Sequence, residues 1–209
     1  MCVLVVLRGV DPEFPIVVGA LRDEFRDRPA APPGLHVGER HRMLAPRDRR
    51  AGGTWIGAND VGLFAGLTNI AGLTEDASRP SRGGIPHLAL DHATVDEAAA
   101  AVQTLVVDAP RNPFQLLLAD GTRCAVLRQV DGVVELAEAE GPVAVISNQH
   151  RLGELEVAGI ERALARGLGV ETRLDVLAEL LLQDGLLKPG NERWGTVSGS
   201  LLAVAPDPI

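Results

Sequence analysis

Three short apolar runs, at 114–118, 123–130 and 133–137, follow one another with only Asp120-Gly121 and Asp131-Gly132 at the turns. Asp-Gly between apolar segments is the strongest short-range hairpin signal, because both residues tolerate a tight turn. A three-strand antiparallel meander is expected here. Strands joined by two-residue turns do not belong to a parallel sheet, whose crossovers need a dozen residues or more. The same grammar recurs elsewhere. Residues 2–7 and 15–20 are β-branched apolar runs separated by Arg8-Gly9 and Asp11-Pro12, and predict a hairpin. Short strands are expected at 52–57 and 61–67 around Asn59-Asp60, and further strands at 143–147 and 195–204. Thr94-Val95-Asp96-Glu97 is a capping box that opens a helix running to about 107. Apolar spacing predicts two more helices at 155–168 and 174–187. Residues 22–50, rich in Arg, Pro and Asp, read as a long irregular surface segment, and 80–86 as a second Gly/Pro/Arg loop. The order of strands, helix, strands, helices and strand predicts an α+β layered sandwich and argues against a doubly wound sheet. With no internal repeat and no linker, a single domain is expected over 1–209.

Charge and composition remove several classes of partner. Acidic residues outnumber basic ones, for a net charge of -8, which argues against a nucleic acid held through its phosphates. Aromatics are 3% of the chain and Tyr is absent, so platforms for stacking bases are not expected. Two cysteines, Cys2 and Cys124, cannot build a disulfide framework or a four-thiolate zinc site. The opening residues lack the basic segment of a signal peptide. No run approaches the ~18 apolar residues of a membrane span, and Glu179 and Asp184 interrupt the Leu-rich helix. A cytoplasmic protein with no membrane span is the expectation. His36 with His41, and His87 with His92, form two i,i+5 pairs in predicted loops, without an H-x-x-x-H pattern, so no metal is expected. The glycine-rich pieces match neither phosphate-binding pattern, and no cofactor is called for.

Cys2 is the residue that could carry chemistry. Removal of Met1 ahead of a small residue would leave Cys2 with a free α-amine. Such an amine titrates at about 7.7–8 and a thiol at about 8.5, so one residue would hold a nucleophile and a base matched to neutral pH. The alternative is structural: a cysteine opening an apolar strand is ordinarily a small buried hydrophobe. Cys124, inside a predicted strand, is expected in the core.

Longer patterns bear on that choice. WIGANDVGLFAGLTN at 55–69 resembles the G-x-N-x-x-G-L-x-x-A-G-L-x-N hairpin of choloylglycine hydrolases and penicillin V acylases, which are N-terminal cysteine amidases. Val145-Ile146-Ser147-Asn148 resembles their later V-x-T-N strand. A closer resemblance is to the NRDE family, relatives of transport and Golgi organisation protein 2. Its ordered pattern stands here as Met1-Cys2, Leu21-Arg22-Asp23-Glu24-Phe25, Arg28-Pro29, Gly52-Gly53-Thr54-Trp55-Ile56-Gly57, Leu67-Thr68-Asn69 and Ser147-Asn148.

The resemblance implies a four-layer αββα sandwich of the N-terminal nucleophile hydrolase type, with Cys2 at a strand end over a cleft. It further implies Cys2 as nucleophile and Arg22 beside the thiol, favouring thiolate. Asp23 or Glu24 would hold the α-ammonium, and Asn69 and Asn148 would offer amide donors to an oxyanion or to the amine. The corresponding activity is that of a cysteine amidase or acyltransferase on a small amide. The alternatives are a non-catalytic carrier of a hydrophobic ligand, such as haem or an acyl lipid, and a pseudoenzyme. Haem enters through animal relatives linked to its handling, with a loop histidine as ligand. Two departures stand out: Leu21 replaces the family's leading Asn, and Val197 replaces a late Arg, for which Arg193 is the nearby substitute.

Overall fold

The computed structural model describes residues 2–183 and 185–206; the expected loss of Met1, and Asp184, lie outside the described residues. Among those described, two antiparallel sheets stack face to face. The first has four strands in the order β10-β1-β2-β11: β10 (Val143–Ser147), β1 (Val3–Arg8), β2 (Ile16–Phe25) and β11 (Trp194–Val204). The second has seven, running consecutively from β3 (Ala30–Val37) through β4 (Arg42–Asp48), β5 (Ile56–Asn59), β6 (Phe64–Asn69), β7 (Phe114–Ala119) and β8 (Cys124–Val130) to β9 (Val133–Glu138). Helices α1 (Gly84–Leu90) and α2 (Val95–Asp108) cover the second sheet, and α3 (Glu161–Leu164) and α4 (Val170–Leu181) the first. This is the αββα sandwich.

Strand alternation builds the layers. Leu4, Val6, Val18 and Ala20 turn inward to meet Ile56, Phe64, Leu117 and Val126 of the facing sheet. Their sequence neighbours Val3, Val5, Val17 and Leu21 turn outward beneath Leu177 and Leu181 of α4. Gly19 lets α4 approach: a β-carbon there would lie 2.9 Å from Leu181 Cδ1. The meander forms as expected, with Asp131 (φ 49°) and Gly132 (φ 82°) both left-handed at its second turn. Cys124 is buried in β8. The capping box holds too, as Thr94 Oγ1 accepts from the Glu97 amide.

Four expectations fail. Residues 22–50 are no irregular loop. They complete β2 and supply the β3–β4 hairpin, in which β3 is the outermost strand of its sheet. Pro32 and Pro33 sit where the β3–β4 register shifts, between Ala31 and Gly34, at an edge that needs no further amide donors. The loop at 80–86 gives way to α1, whose first turn accommodates Pro86. The helix expected over 155–168 shrinks to four residues between Gly159 and Gly167, both with positive φ (82° and 78°). The following helix spans 170–181 instead of 174–187.

Candidate functional site

Cys2 lies at the N-terminal end of β1, where Val3 pairs with Leu21 on one side and Ser147 on the other. Its Sγ accepts from the Asp23 amide at 3.4 Å, and its thiol donates to the Asp23 carbonyl at 3.6 Å. Its backbone carbonyl accepts from the Asn148 amide at 3.1 Å, tying the strand end to β10. The thiol therefore opens on a cavity of about 90 Å³ between the sheets, lined by Cys2, Arg22, Asp23, Trp55, Thr68 and Asn69 among others.

Arg22 is buried and fixed from two directions. Its guanidinium stacks on Trp55, 4.3 Å from the ring centroid, and pairs with Glu24 at 3.6 Å. Glu24 is shared with Arg28 at 3.7 Å, and Arg28 closes a two-pronged contact on Asp48. Asp23, on the opposite face of the strand, accepts from Thr196 Oγ1 of β11 at 2.6 Å. Burial pushes the Cys2 thiol above its ordinary value; the positive charge of Arg22 opposes this and Glu24 reinforces it. Burial also lowers Arg22, and Glu24 resists that. The charge of Arg22 favours the thiolate, and burial outweighs it.

Four of the five expected residues, Cys2, Arg22, Asp23 and Asn69, line this one cavity. Asn148 joins by its backbone: its carbonyl accepts from the Ala71 amide, while its side-chain oxygen is buried without a partner among the described residues. Arg193 is exposed and outside the cavity lining, so it does not replace the late Arg. Val197 sits at the β-bulge where the β11–β2 register shifts, also outside the lining. Sequence reasoning overlooked Trp55 and Thr196 as supports. Trp55 lay within a quoted motif without a role, and Thr196 reaches Asp23 only through strand pairing.

None of the five histidines lines the Cys2 cavity, and His41, His92 and His150 lie in loops as expected. His36 lies in β3 and His87 in α1, with ring centroids 5.6 Å apart. His36 donates to the Ala45 carbonyl and His41 to Asp60. Among the described residues no three His, Cys, Asp or Glu side chains group to hold a metal. Nor is any described helix long and apolar enough to cross a membrane.

The profile of the Transport and Golgi organisation 2 family matches residues 1–166. Among solved structures, the chain is similar to an N-acylethanolamine-hydrolysing acid amidase orthologue from Caenorhabditis elegans. Identity is 13% and the TM-score 0.66, over 99% of this chain and 93% of that one. It is also similar to penicillin V acylase from Agrobacterium tumefaciens, with 15% identity and a TM-score of 0.61, over 97% of this chain and 80% of that one. No curated protein matches it by sequence. The fold is that of the N-terminal nucleophile hydrolases.

Proposed function

Because the chain belongs to the Transport and Golgi organisation 2 family, on an N-terminal nucleophile hydrolase fold, we propose that it is an N-terminal cysteine amidohydrolase or acyltransferase acting on a small amide. One observation carries this: the Cys2 thiol faces an inter-sheet cavity that Arg22 and Asn69 also line. The names of the two structural relatives, an acylase and an amidase, support an amide as substrate.

In this reading Met1 is removed and the α-amine of Cys2 becomes the base. Sγ attacks the acyl carbon and its proton passes to the amine. The C–N bond then breaks as that proton moves to the leaving amine, leaving a thioester. Water, or an acceptor amine, attacks the thioester and regenerates the thiol. Burial pushes the thiol pKa up, which suits a sequence in which the proton moves as the acyl carbon is engaged. Asn69 offers amide donors to the oxyanion. Asp23, held by Thr196, orients the ammonium, and Arg22 draws the thiol toward thiolate.

Intact mass before and after treatment with a β-lactone tests the reading. Loss of Met1 with one adduct mapped to Cys2, absent in Cys2→Ala, is expected; a retained Met1 with no adduct overturns it.

A second reading, a non-catalytic carrier of a hydrophobic small molecule, is favoured by an apolar trough of about 500 Å³ between β11 and the β3–β4 hairpin. It shares Trp55 and Ile56 with the Cys2 cavity. No histidine lines it, which favours an acyl lipid over haem. Saturable binding of a fatty acid by a protein whose Cys2 stays unlabelled is its expected sign.

A further inference from the structure

A second cavity, of about 160 Å³, adjoins the one at Cys2 and shares Arg22, Glu24, Trp55, Leu67 and Asn69 with it. Four arginines line it, Arg22, Arg28, Arg79 and Arg82, against two carboxylates, Glu24 and Asp48. Those carboxylates are already matched within the lining, Glu24 by Arg22 and Asp48 by Arg28. Arg79 and Arg82 differ. Their acidic partners, Asp76 at 3.6 Å and Glu75 at 2.6 Å, stand outside the lining with side chains 52% and 57% exposed. The Arg79–Asp76 pair is long and partly exposed on both sides, and pairs of that kind are weak, so Arg79 can turn to a ligand at small cost. Both arginines are nonetheless anchored: Arg79 donates to the Arg111 carbonyl and Arg82 to the Pro113 carbonyl. In a chain of net charge -8, this is a cavity whose lining carries two positive charges in excess, next to the thiol.

Resting on the amidase reading, we propose that this cavity is an anion subsite. The amide substrate would carry a carboxylate or phosphate on the side of the scissile bond that points at Arg79 and Arg82. Asn69, on the wall shared by the two cavities, would face both the acyl centre and the anionic arm.

Binding tests this independently of turnover. In a Cys2→Ala, Trp194→Phe protein, Trp55 is the sole tryptophan and lies on the shared wall. Its fluorescence is titrated with an N-acyl glycine, with the neutral ethanolamide of the same acyl chain, and with that ethanolamide's O-phosphate. Charged hydrogen bonds to a guanidinium are expected to make at least one anion bind about tenfold tighter than the neutral ligand. The tighter of the two anions identifies the group recognised. The preference should shrink at high salt and in Arg79→Gln/Arg82→Gln; where the double variant does not fold, Arg79→Gln alone decides. Equal binding of charged and neutral ligands, no saturable quench with any, or a preference that survives the arginine substitutions overturns the proposal. A chain that binds the anion but takes no β-lactone adduct would lose the amidase reading and keep the subsite.

Discussion

Replacing Arg22 by Gln removes the one basic side chain that lines the Cys2 cavity among the described residues, and the structure sets the sign of the response. Arg22 lowers the thiol pKa and Glu24 raises it, while burial dominates both. An opposite charge within ~4–6 Å moves a pKa by about 1–3 units. Here Glu24 neutralises part of the guanidinium at 3.6 Å, which weakens its pull on the thiol. In Arg22→Gln the thiol should therefore titrate higher, with less thiolate at neutral pH and slower alkylation there. Freed from Arg22, Glu24 acts in the same direction. Glu24→Gln removes a charge that raises the thiol, and its midpoint should move down. The assay is the rate of iodoacetamide alkylation as a function of pH, in proteins of matched N-terminal processing. Cys124 does not interfere, since burial has pushed its thiol up to about 12. Losing the Trp55 stack should cost about 1 kcal/mol, a fall in Tm of roughly 2–4 °C for a chain of this size, so both variants fold. An unchanged midpoint in Arg22→Gln, or an upward one in Glu24→Gln, would refute the electrostatic account of this cavity.

Gly53→Ala should cost about 2 kcal/mol or more, because its β-carbon would fall 2.3 Å from the Gly83 carbonyl carbon, which as backbone cannot easily yield; thermal melts read the loss. Asp48→Asn removes a carboxylate that accepts from Arg28 and from the Arg50 and Ala51 amides. Burial works to raise Asp48, yet these partners leave it below the usual range. Its contribution is therefore present above the unfolded value of about 3.9 and lost as pH falls through the lower folded one. Urea melts should show the variant about 1–3 kcal/mol weaker at pH 7 and close to wild type near pH 2. Thr196→Val takes the donor from Asp23 and should lower stability by about 1 kcal/mol in a urea melt; under the amidase reading, β-lactone labelling of Cys2 slows as well.

The legible parts of the fold are those whose determinants are local. Asp131-Gly132 and Thr94 with Glu97 act within four residues, and the strands at 143–147 and 195–204 announce themselves by β-branched content. The β3–β4 hairpin did not, because Pro32-Pro33 weighs against a strand unless the strand is known to be an edge. That knowledge comes only from the assembled sheet. Gly159 and Gly167 likewise override an apolar spacing that looked helical across them. At the site, no periodicity brings Cys2, Arg22 and Asn69 together; the motif resemblance did. Thr196 was beyond its reach, because its role depends on β11 pairing with a strand 173 positions away.

Strand parity in β2 separates the two acids between which the motif does not choose. Val18, Ala20, Arg22 and Glu24 alternate toward the facing sheet, the side on which Leu4 and the thiol of Cys2 lie; Gly19, Leu21 and Asp23 face the helices. Leu21, where the family carries Asn, borders the Cys2 cavity, and its side chain belongs to the helix layer. It packs with Leu177 and Leu181 of α4. The same parity separates the two acids. Glu24 shares the cleft face with Arg22 and Arg28 and is engaged by both, so its lever on the thiol is Arg22's charge. Asp23 sits across the strand, braced by Thr196, with its backbone alone on the sulfur. Under the amidase reading, we propose that Asp23 and not Glu24 holds the α-ammonium. Asp23→Asn should then abolish labelling by a β-lactone, which needs the amine. Glu24→Gln should retain that labelling and shift only its pH dependence.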